Sequence, residues 1–316
     1  GIAPGVGAAF VSLVGYIAIQ LAIFGFFGAV VGGTVAATFG IEAPWYVWTL
    51  IAWVLVLALS LFSVDVGAKV LGVLMSLELL SLLVTFFAVL FAGGGPEGID
   101  LGASFLPSNI FVGGLAGASG IAFAFAFASY IGFEATAIYG EEAKEPHRTV
   151  PLATYAAIGT ITVIFALASW AIVSGLGPSV VVDRVAEISA IDGVPLADPA
   201  AVLYAVATEY VGSWLANVMS WLVVSSLFAG LLAFQNSVAR YFFAMGRAGV
   251  LPKKLSHVNR RGAPAPASVT TSIVALIIIV IFIVAGLDPV LNMFFWFSGM
   301  TVVATVWVEI LVSISV

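Results

Sequence analysis

Three carboxylates lie within long apolar runs of this sequence, where an ionisable side chain is expensive. Glu78 interrupts VLGVLMSLELLSLLV, Glu134 follows IAFAFAFASYIGF, and Glu309 lies near the end of the last run. Ionisable groups inside a membrane usually face a protein interior or a water-filled path. Glu78 is therefore expected to be protonated or paired, whereas Glu309 lies close enough to the end of its run to reach the membrane surface.

Glu134 belongs to the stretch SYIGFEATAIYG, residues 129–140. Ser129, Gly132 and Glu134 interrupt the apolar run, and a glycine at that depth permits the backbone to leave the helical conformation. Non-helical backbone is tolerated in a membrane only where it lines a cavity or is held by neighbouring protein. The stretch favours a broken span whose backbone groups bind a charged small molecule. The alternative is an intact helix in which Glu134 bonds to a neighbour.

Other chemistry has little support in the sequence. There is no cysteine, and the two histidines, His147 and His257, are far apart in charged segments. The HExxH, GxxxxGK[ST] and GxSxG patterns are missing, and the glycines at 93–95 precede a proline as in a flexible connector. We expect no enzyme activity, no cofactor and no metal site, and the net charge of −6 does not indicate a nucleic-acid partner.

The composition indicates that membrane-spanning helices position these residues. Of the 316 residues, 62% are hydrophobic and 8% are charged, which is more apolar surface than a soluble domain of this size can bury. Several runs reach the roughly 20 residues that a helix needs to cross a bilayer. Turn residues and charges divide the chain into about eight spans, near 8–36, 45–62, 70–91, 115–140, 149–175, 213–245, 267–285 and 290–316.

The charges between the spans predict an orientation. If the spans alternate, nine of the ten Lys and Arg residues fall on one side of the membrane, and Arg184 falls on the other. By the positive-inside rule the first side is cytoplasmic and includes the loops 63–69, 140–149 and 246–263. The outer segment 176–212 is long for a connector. Its sequence DPAAVLYAVATEYVG predicts a helix with Asp198 as N-cap that lies flat on the outer mouth, as a lid or as a surface decoration.

Longer stretches resemble a known group of transporters. GFEATAIYGEEAKEPHRTVP (132–151) is similar to the sixth helix and following loop of the amino acid/polyamine/organocation (APC) superfamily, where a GFE-type break precedes EEAKNPxRxxP. ARYFFAMGRAGVLPKKLSHVNRRGAPAPA (239–267) resembles the eighth helix and cytoplasmic loop of that superfamily, and GAKVLGVLMSLELLSLLV (67–84) resembles its fifth helix. The likeness covers almost the whole chain, which is identified as an APC superfamily permease.

The resemblance implies an all-α polytopic membrane protein with an inverted five-plus-five repeat. The eight spans would be helices three to ten, with the first two and last two helices of the fold absent. Residues 1–92 would be three spans that end the first repeat, and 93–114 would be an outer loop. Residues 115–316 would be the five spans of the second repeat, with 176–212 as an outer lid segment. The break of the first helix, which completes the substrate site in this superfamily, would also be absent.

The resemblance also implies a substrate site and a gate at the break. Phe127 or Ala128 would occupy the gating position above the substrate. The α-amino group of the substrate would be received by the backbone of Ser129, Tyr130, Ile131 and Gly132.

Four further residues have roles implied by the resemblance. Glu134 would couple the break to neighbouring helices. Ser225 and Ser226 lie where sodium-coupled relatives place hydroxyl ligands, although serines in a span more often bond their own backbone. Glu78 lies where many proton-coupled members carry lysine, and this reversal of charge leaves the coupling mechanism open.

The implied function is secondary active transport of amino acids across the cell membrane by alternating access, as a proton-coupled symporter or as an antiporter. The alternatives are a polyamine or other organic cation transporter of the same fold, and a binding protein that does not transport. The expected partners are a small-molecule substrate and membrane lipid.

Overall fold

The structure, a computed structural model, describes residues 2–62, 67–112, 114, 117–138, 140, 143, 145–191, 194, 195, 198 and 200–315. Within these residues the α-helices are α1 (Ile2–Phe39), α2 (Trp45–Ser60), α3 (Gly67–Phe91), α4 (Leu101–Phe105), α5 (Pro107–Ile110), α6 (Ala118–Tyr130), α7 (Ala135–Ile138), α8 (Pro146–Leu176), α9 (Val181–Ile188), α10 (Ala201–Tyr210), α11 (Ser213–Arg247), α12 (Ala265–Val284) and α13 (Phe295–Ser315). A 3-10 helix covers Lys253–Ser256, and a π-helical turn, Pro289–Phe294, precedes α13. The strands β1 (Ala190–Ile191) and β2 (Val194–Pro195) form a short antiparallel pair.

Helices that are long and apolar enough to cross a membrane make up most of the described residues. Seven such segments are found there: Pro4–Phe39, Gly72–Phe91, Ala118–Ile138, Pro146–Leu176, Ser213–Arg247, Ala265–Val284 and Pro289–Ile314. The helix α2 is equally apolar but has 16 residues. Together these segments match the eight predicted spans and confirm an all-α polytopic membrane protein. The predicted start of the fourth span at residue 115 lies outside the described residues.

The chain divides into two compact units. The first unit consists of Gly1–Leu71, Phe127–Ile131 and Val224–Val316, and the second consists of Gly72–Ala126 and Gly132–Val223.

The core of the first unit forms around α1, which contacts α2, α12, α13 and the π-helical turn. Leu21, Phe24 and Met293 are among its fully buried side chains. Two glycines let neighbouring backbones approach α1. A Cβ atom on Gly25 would lie 2.5 Å from the Pro289 carbonyl oxygen, and one on Gly28 would lie 2.6 Å from the Trp45 carbonyl oxygen. Any larger residue at these two positions would push the helices apart.

The core of the second unit contains Phe86, Val89, Ala171 and Val206. Val206 and the adjacent Ala207 are fully buried, so α10 packs one side into this core and is not a surface decoration. The N-cap of α10 is Ala200. Asp198 lies two residues earlier and accepts a hydrogen bond from the Ala200 amide at 2.8 Å. The prediction of Asp198 as N-cap is therefore displaced by two residues.

The glycines at 93–95 are not a flexible connector. The Gly95 amide donates to the Ser174 carbonyl at 2.8 Å, and a Cβ atom on Gly95 would collide with the Gly175 carbonyl oxygen. Gly94 has a φ of +81°, which favours glycine. Nearby, the Glu97 carboxylate accepts hydrogen bonds from the Ser179 hydroxyl at 2.5 Å and the Ser179 amide at 3.1 Å. The close approach of the α8 backbone requires glycine at position 95, and the positive φ favours glycine at positions 93 and 94.

Candidate functional site

The candidate site is a break within the span Ala118–Ile138. The helix α6 ends at Tyr130, and residues 131–134 form a turn before α7 begins. Gly132 has a φ of +112°, a conformation that residues with a Cβ atom rarely adopt. The Ile131 amide donates to the Ala128 carbonyl at 3.2 Å, which is an i→i+3 bond instead of the helical i→i+4 bond. The break that the sequence predicts is present, and glycine is the residue type that permits it.

Glu134 supports this break directly. Its Oε2 atom accepts a hydrogen bond from the Gly132 amide at 2.9 Å. In an uninterrupted helix that amide would donate to the Ala128 carbonyl, four residues earlier. The carboxylate therefore replaces a backbone acceptor that is lost at the break. An amide left without an acceptor away from water would cost roughly 1–3 kcal/mol.

The predicted substrate-binding residues lie on both sides of the helix end. Ser129 and Tyr130 are the last residues of α6, whereas Ile131 and Gly132 are in the turn. The Ile131 and Gly132 amides are used by the bonds to Ala128 and Glu134. An ammonium group has donors only, so recognition of an α-amino group here would depend on carbonyl oxygens.

The predicted gating residues are in the last turns of α6. The Phe127 side chain is 54% exposed, and Ala128 is half-buried. The Ala128 carbonyl accepts the bond that closes α6, so any movement of the break would move this residue too.

The helix α7, which follows the break in the sequence, is joined to α8 by a hydrogen bond between two threonines that were not predicted from the sequence. The hydroxyl oxygens of Thr136 and Thr154 lie 2.5 Å apart in a hydrogen bond. Whichever threonine donates in this pair, the other can donate to a carbonyl of its own segment: Thr136 to Phe133 at 3.1 Å, or Thr154 to Val150 at 2.9 Å. Two threonines 18 residues apart in apolar helices give no recognisable sequence signal, because most such hydroxyls bond only their own helix.

Glu78 lies half-buried in the middle of α3. The second unit also contains Tyr204 of α10, whose pKa is raised mainly by burial and further by the negative charges of Asp198 and Glu78. Burial also raises the pKa of Asp198, and the bond from the Ala200 amide only partly opposes this effect. The Tyr204 hydroxyl is buried and has no hydrogen-bond partner among the described residues. The fold thus brings Tyr204 into electrostatic range of both Glu78 and Asp198, which the sequence did not indicate.

The other predicted residues are placed as follows. Ser225 and Ser226 are half-buried in the middle of α11, in the first unit. Glu309 is half-buried near the end of α13. No group of three or more His, Cys, Asp or Glu side chains in the described part of the chain is arranged to hold a metal ion.

A buried amide pair in the first unit was also missed. Gln20 of α1 and Gln235 of α11 are each 1% exposed, and Gln20 Nε2 donates to Gln235 Oε1 at 2.6 Å. Gln235 Nε2 then donates to the Ser268 carbonyl at 2.9 Å and to Ser272 Oγ at 3.0 Å, both on α12. Trp53 Nε1 of α2 donates to the Ser272 carbonyl at 2.8 Å. These residues, called the glutamine network below, link α1, α2, α11 and α12.

A sequence signal for the glutamine network did exist. The chain contains two glutamines, and both are members of the network. Each lies within an apolar run, where an uncharged amide still needs partners for its donors and acceptor.

Comparison with known proteins agrees with the architecture. The profile of the family described as "Amino acid permease" matches residues 3–316. The branched-chain amino acid permease BcaP of Lactococcus lactis is 31% identical over 176 residues, which cover 55% of this chain and 35% of that protein. The histidine permease of Saccharomyces cerevisiae is 27% identical over 233 residues, 72% of this chain and 37% of that protein. An uncharacterized transporter of Mycobacterium tuberculosis is 29% identical over 239 residues, 74% of this chain and 50% of the relative.

The aligned part of the chain spans between about a third and a half of the length of these relatives. The family profile, in contrast, matches almost the whole chain. It agrees with the resemblance to APC superfamily permeases that the motifs at 132–151 and 239–267 carry. The chain belongs to the amino acid permease family.

Proposed function

We propose that this protein is a secondary transporter that moves an amino acid across the cell membrane. The observation that carries the proposal is the helix break at 131–134, in which Glu134 bonds the Gly132 amide inside a membrane span of an amino acid permease. Broken spans of secondary transporters present backbone groups to the charged ends of small substrates. The names of two relatives, a branched-chain amino acid permease and a histidine permease, support an amino acid as the cargo.

The transport cycle is alternating access, with one set of helices acting as a scaffold. The glutamine network supports α1, α2, α11 and α12 as that scaffold, because it joins these four helices through buried hydrogen bonds. The break at 131–134 is the part that changes conformation. Phe127 and Ala128 gate the substrate, and the bond between Thr136 and Thr154 transmits the movement to α8.

Coupling to protons is assigned to Glu78. It is the carboxylate in the middle of α3, and Tyr204 lies in its electrostatic range. Proton uptake by Glu78 would remove a charge that is costly in a membrane interior. This arrangement serves symport with protons and also exchange of one amino acid for another. Ser225 and Ser226 remain the candidate hydroxyl ligands of a sodium-coupled cycle.

A polyamine is disfavoured as the cargo. It carries two or more positive charges and no carboxylate, so its site needs several acidic groups. Among the described residues, the turn contains one carboxylate, Glu134, and this group already accepts the Gly132 amide. A neutral or singly charged amino acid needs fewer acidic groups than a polyamine, so it fits a turn with one carboxylate better.

The test is uptake into liposomes that contain the purified protein. Saturable uptake of L-leucine or L-histidine, with no uptake of the D-enantiomers and no competition from putrescine, is the expected result. Binding of an amino acid without uptake would establish a binding protein that does not transport, and competition by putrescine alone would establish an organic cation carrier.

Sidedness is tested separately. Because the chain has no cysteine, single exposed positions can be labelled with a thiol reagent that does not cross membranes. Lys254→Cys, in the loop 246–263, should react only when the cytoplasmic face is accessible, and Val182→Cys, in α9, should react in intact cells. The reverse pattern would overturn the predicted orientation.

A further inference from the structure

A strongly basic segment connects two spans of the first unit and has no part in the proposed transport site. Residues 247–263, called the basic loop, run from the last residue of α11 to just before α12. The loop contains no Asp or Glu, and its five cationic residues are Arg247, Lys253, Lys254, Arg260 and Arg261. Half of the Lys and Arg residues of the chain are therefore concentrated in 17 residues.

The first half of the basic loop is folded against the end of α11. The Val250 and Leu251 amides donate to the Met245 carbonyl at 3.0 and 3.1 Å. Gly246 lies under the 3-10 helix, where a Cβ atom would be 3.1 Å from Leu255 Cβ. The backbone of the two lysines at the start of this 3-10 helix is therefore held in place by these contacts.

The second half of the basic loop is held by Asn259. Asn259 Oδ1 accepts hydrogen bonds from the Arg261 amide at 2.9 Å and the Ala263 amide at 3.0 Å. Its Nδ2 atom donates to the Leu61 carbonyl at 3.0 Å, just beyond the end of α2. The Arg261 guanidinium carbon lies 4.1 Å from the centre of the Phe62 ring, a cation–π contact. The loop is thereby attached to a third span.

Four cations of the basic loop form no ion pair with a carboxylate of the described residues. Lys253, Lys254, Arg260 and Arg261 are exposed, and no carboxylate among the described residues forms an ion pair with them. Lys253 and Lys254 are adjacent in the sequence, as are Arg260 and Arg261, and like charges this close repel each other. An external anion would relieve this repulsion.

The position of the basic loop indicates that this anion is a lipid headgroup. The loop joins the ends of two candidate spans, Ser213–Arg247 and Ala265–Val284, so it lies at the level of the lipid headgroups. Exposed apolar side chains accompany the cations, including Val258 at 56% and Phe62 at 48% exposure. Apolar groups beside Lys and Arg suit the boundary between acyl chains and headgroups and would be unfavourable on a surface that faces only water.

We propose that the basic loop is a binding site for the headgroup phosphate of an anionic phospholipid. Lys253, Lys254 and Arg260 contact the phosphate, and Arg261 is positioned by Phe62 beside them. Val258 and Phe62 contact the upper acyl chain. The site is independent of the substrate and of the coupling ion, and it stands whether or not the protein transports amino acids.

The experiment measures lipid retained by the purified protein in detergent, by native mass spectrometry, with phosphatidylglycerol and phosphatidylcholine of the same chain length. We expect phosphatidylglycerol to be retained about a hundredfold more strongly, which is about fivefold for each of the three cations that contact the phosphate. Lys253→Gln/Lys254→Gln should lower this preference by about fivefold for each charge removed. Lys253→Arg/Lys254→Arg, which keeps both charges, should retain the preference, and so should Arg184→Gln in α9. Equal melting temperatures of the variants would show that the loop, and not the fold, causes the difference.

Three results would overturn the proposal. The first is equal retention of the two lipids, and the second is an unchanged preference in Lys253→Gln/Lys254→Gln. The third is displacement of phosphatidylglycerol by millimolar inorganic phosphate or by a polyglutamate peptide, which would identify a site for soluble anions or acidic proteins.

Discussion

Gln20 donates a hydrogen bond to Gln235 at 2.6 Å, and neither side chain is exposed by more than 1%. The two residues are 215 positions apart in the sequence, so the bond joins two helices, α1 and α11, that are far apart along the chain. In a membrane, where apolar packing between helices gains little over packing against lipid, such bonds between buried amides hold helices in register.

The first prediction concerns this pair. Gln235→Leu should lower the free energy of unfolding by about 1–3 kcal/mol, because it leaves the Gln20 amide group and the Ser272 hydroxyl without their partner. Gln20→Leu should cost less, because Gln235 keeps its bonds to α12. The double variant should cost less than the sum of the two, with a coupling of about 0.5–2 kcal/mol measured in a double-mutant cycle. Additive effects would show that the bond contributes nothing.

The second prediction concerns Glu134. Glu134→Ala removes the acceptor of the Gly132 amide and should lower the transport rate at least tenfold, with a smaller change in KM. Glu134→Gln keeps an oxygen in the same place but loses the charge, so its rate should be intermediate, still with more effect on turnover than on substrate affinity. Initial rates of uptake in liposomes over a range of substrate concentrations give both quantities. A large loss of affinity at normal turnover would place Glu134 in contact with the substrate instead.

The third prediction concerns Gly132. Its φ of +112° disfavours any residue with a Cβ atom, so Gly132→Ala should destabilise the break by about 1–3 kcal/mol and abolish uptake. Gly72→Ala is the matched control, because a Cβ atom there would meet no neighbour within 4 Å and alanine favours a helix. Uptake assays and melting curves of the two variants make the comparison. Normal uptake by Gly132→Ala would contradict the observed turn.

The fourth prediction is a pH dependence at Asp198. Its pKa in the folded protein is raised above the ordinary value of 3.8 by burial, so the ionised carboxylate is less favourable in the folded state. The protonated carboxyl is the more favourable form in the folded protein. Its contribution to the stability of the fold is fully present below pH 3.8 and is lost as the pH rises through the pKa of the folded protein. Asp198→Asn keeps an acceptor for the Ala200 amide but cannot ionise.

The measurement is the melting temperature of Asp198→Asn and of the unmodified protein between pH 3 and pH 8. The two should agree at the acidic end, and the variant should be the more stable at neutral pH. A variant that is less stable at neutral pH would show that the Asp198 charge has a favourable partner in the folded protein.

Much of the fold could be predicted because the membrane imposes simple rules on sequence. Long apolar runs must be helices, since lipid offers no hydrogen bonds to an unpaired backbone. For the same reason, Gly132 with Glu134 at that depth indicated the break. The hydrogen bond that the Gly132 amide donates to Glu134 could be predicted too, because the two residues are close in sequence.

Contacts between distant segments could not be predicted in this way. The close approach of α8 to Gly95 depends on the position of the Gly175 carbonyl, 80 residues later. The burial of α10 depends on contacts with α3 and α8, and its sequence also suits a surface helix. The contacts within the glutamine network could not be predicted either, because each member by itself is only a polar residue in an apolar helix.

The bond between Glu134 and Gly132 has a consequence for how such a protein can change over time. The donor and the acceptor are two positions apart, so three consecutive codons encode both partners of the bond. Substitutions in the surrounding helices can therefore change the residues around the bend without removing the hydrogen bond that supports it.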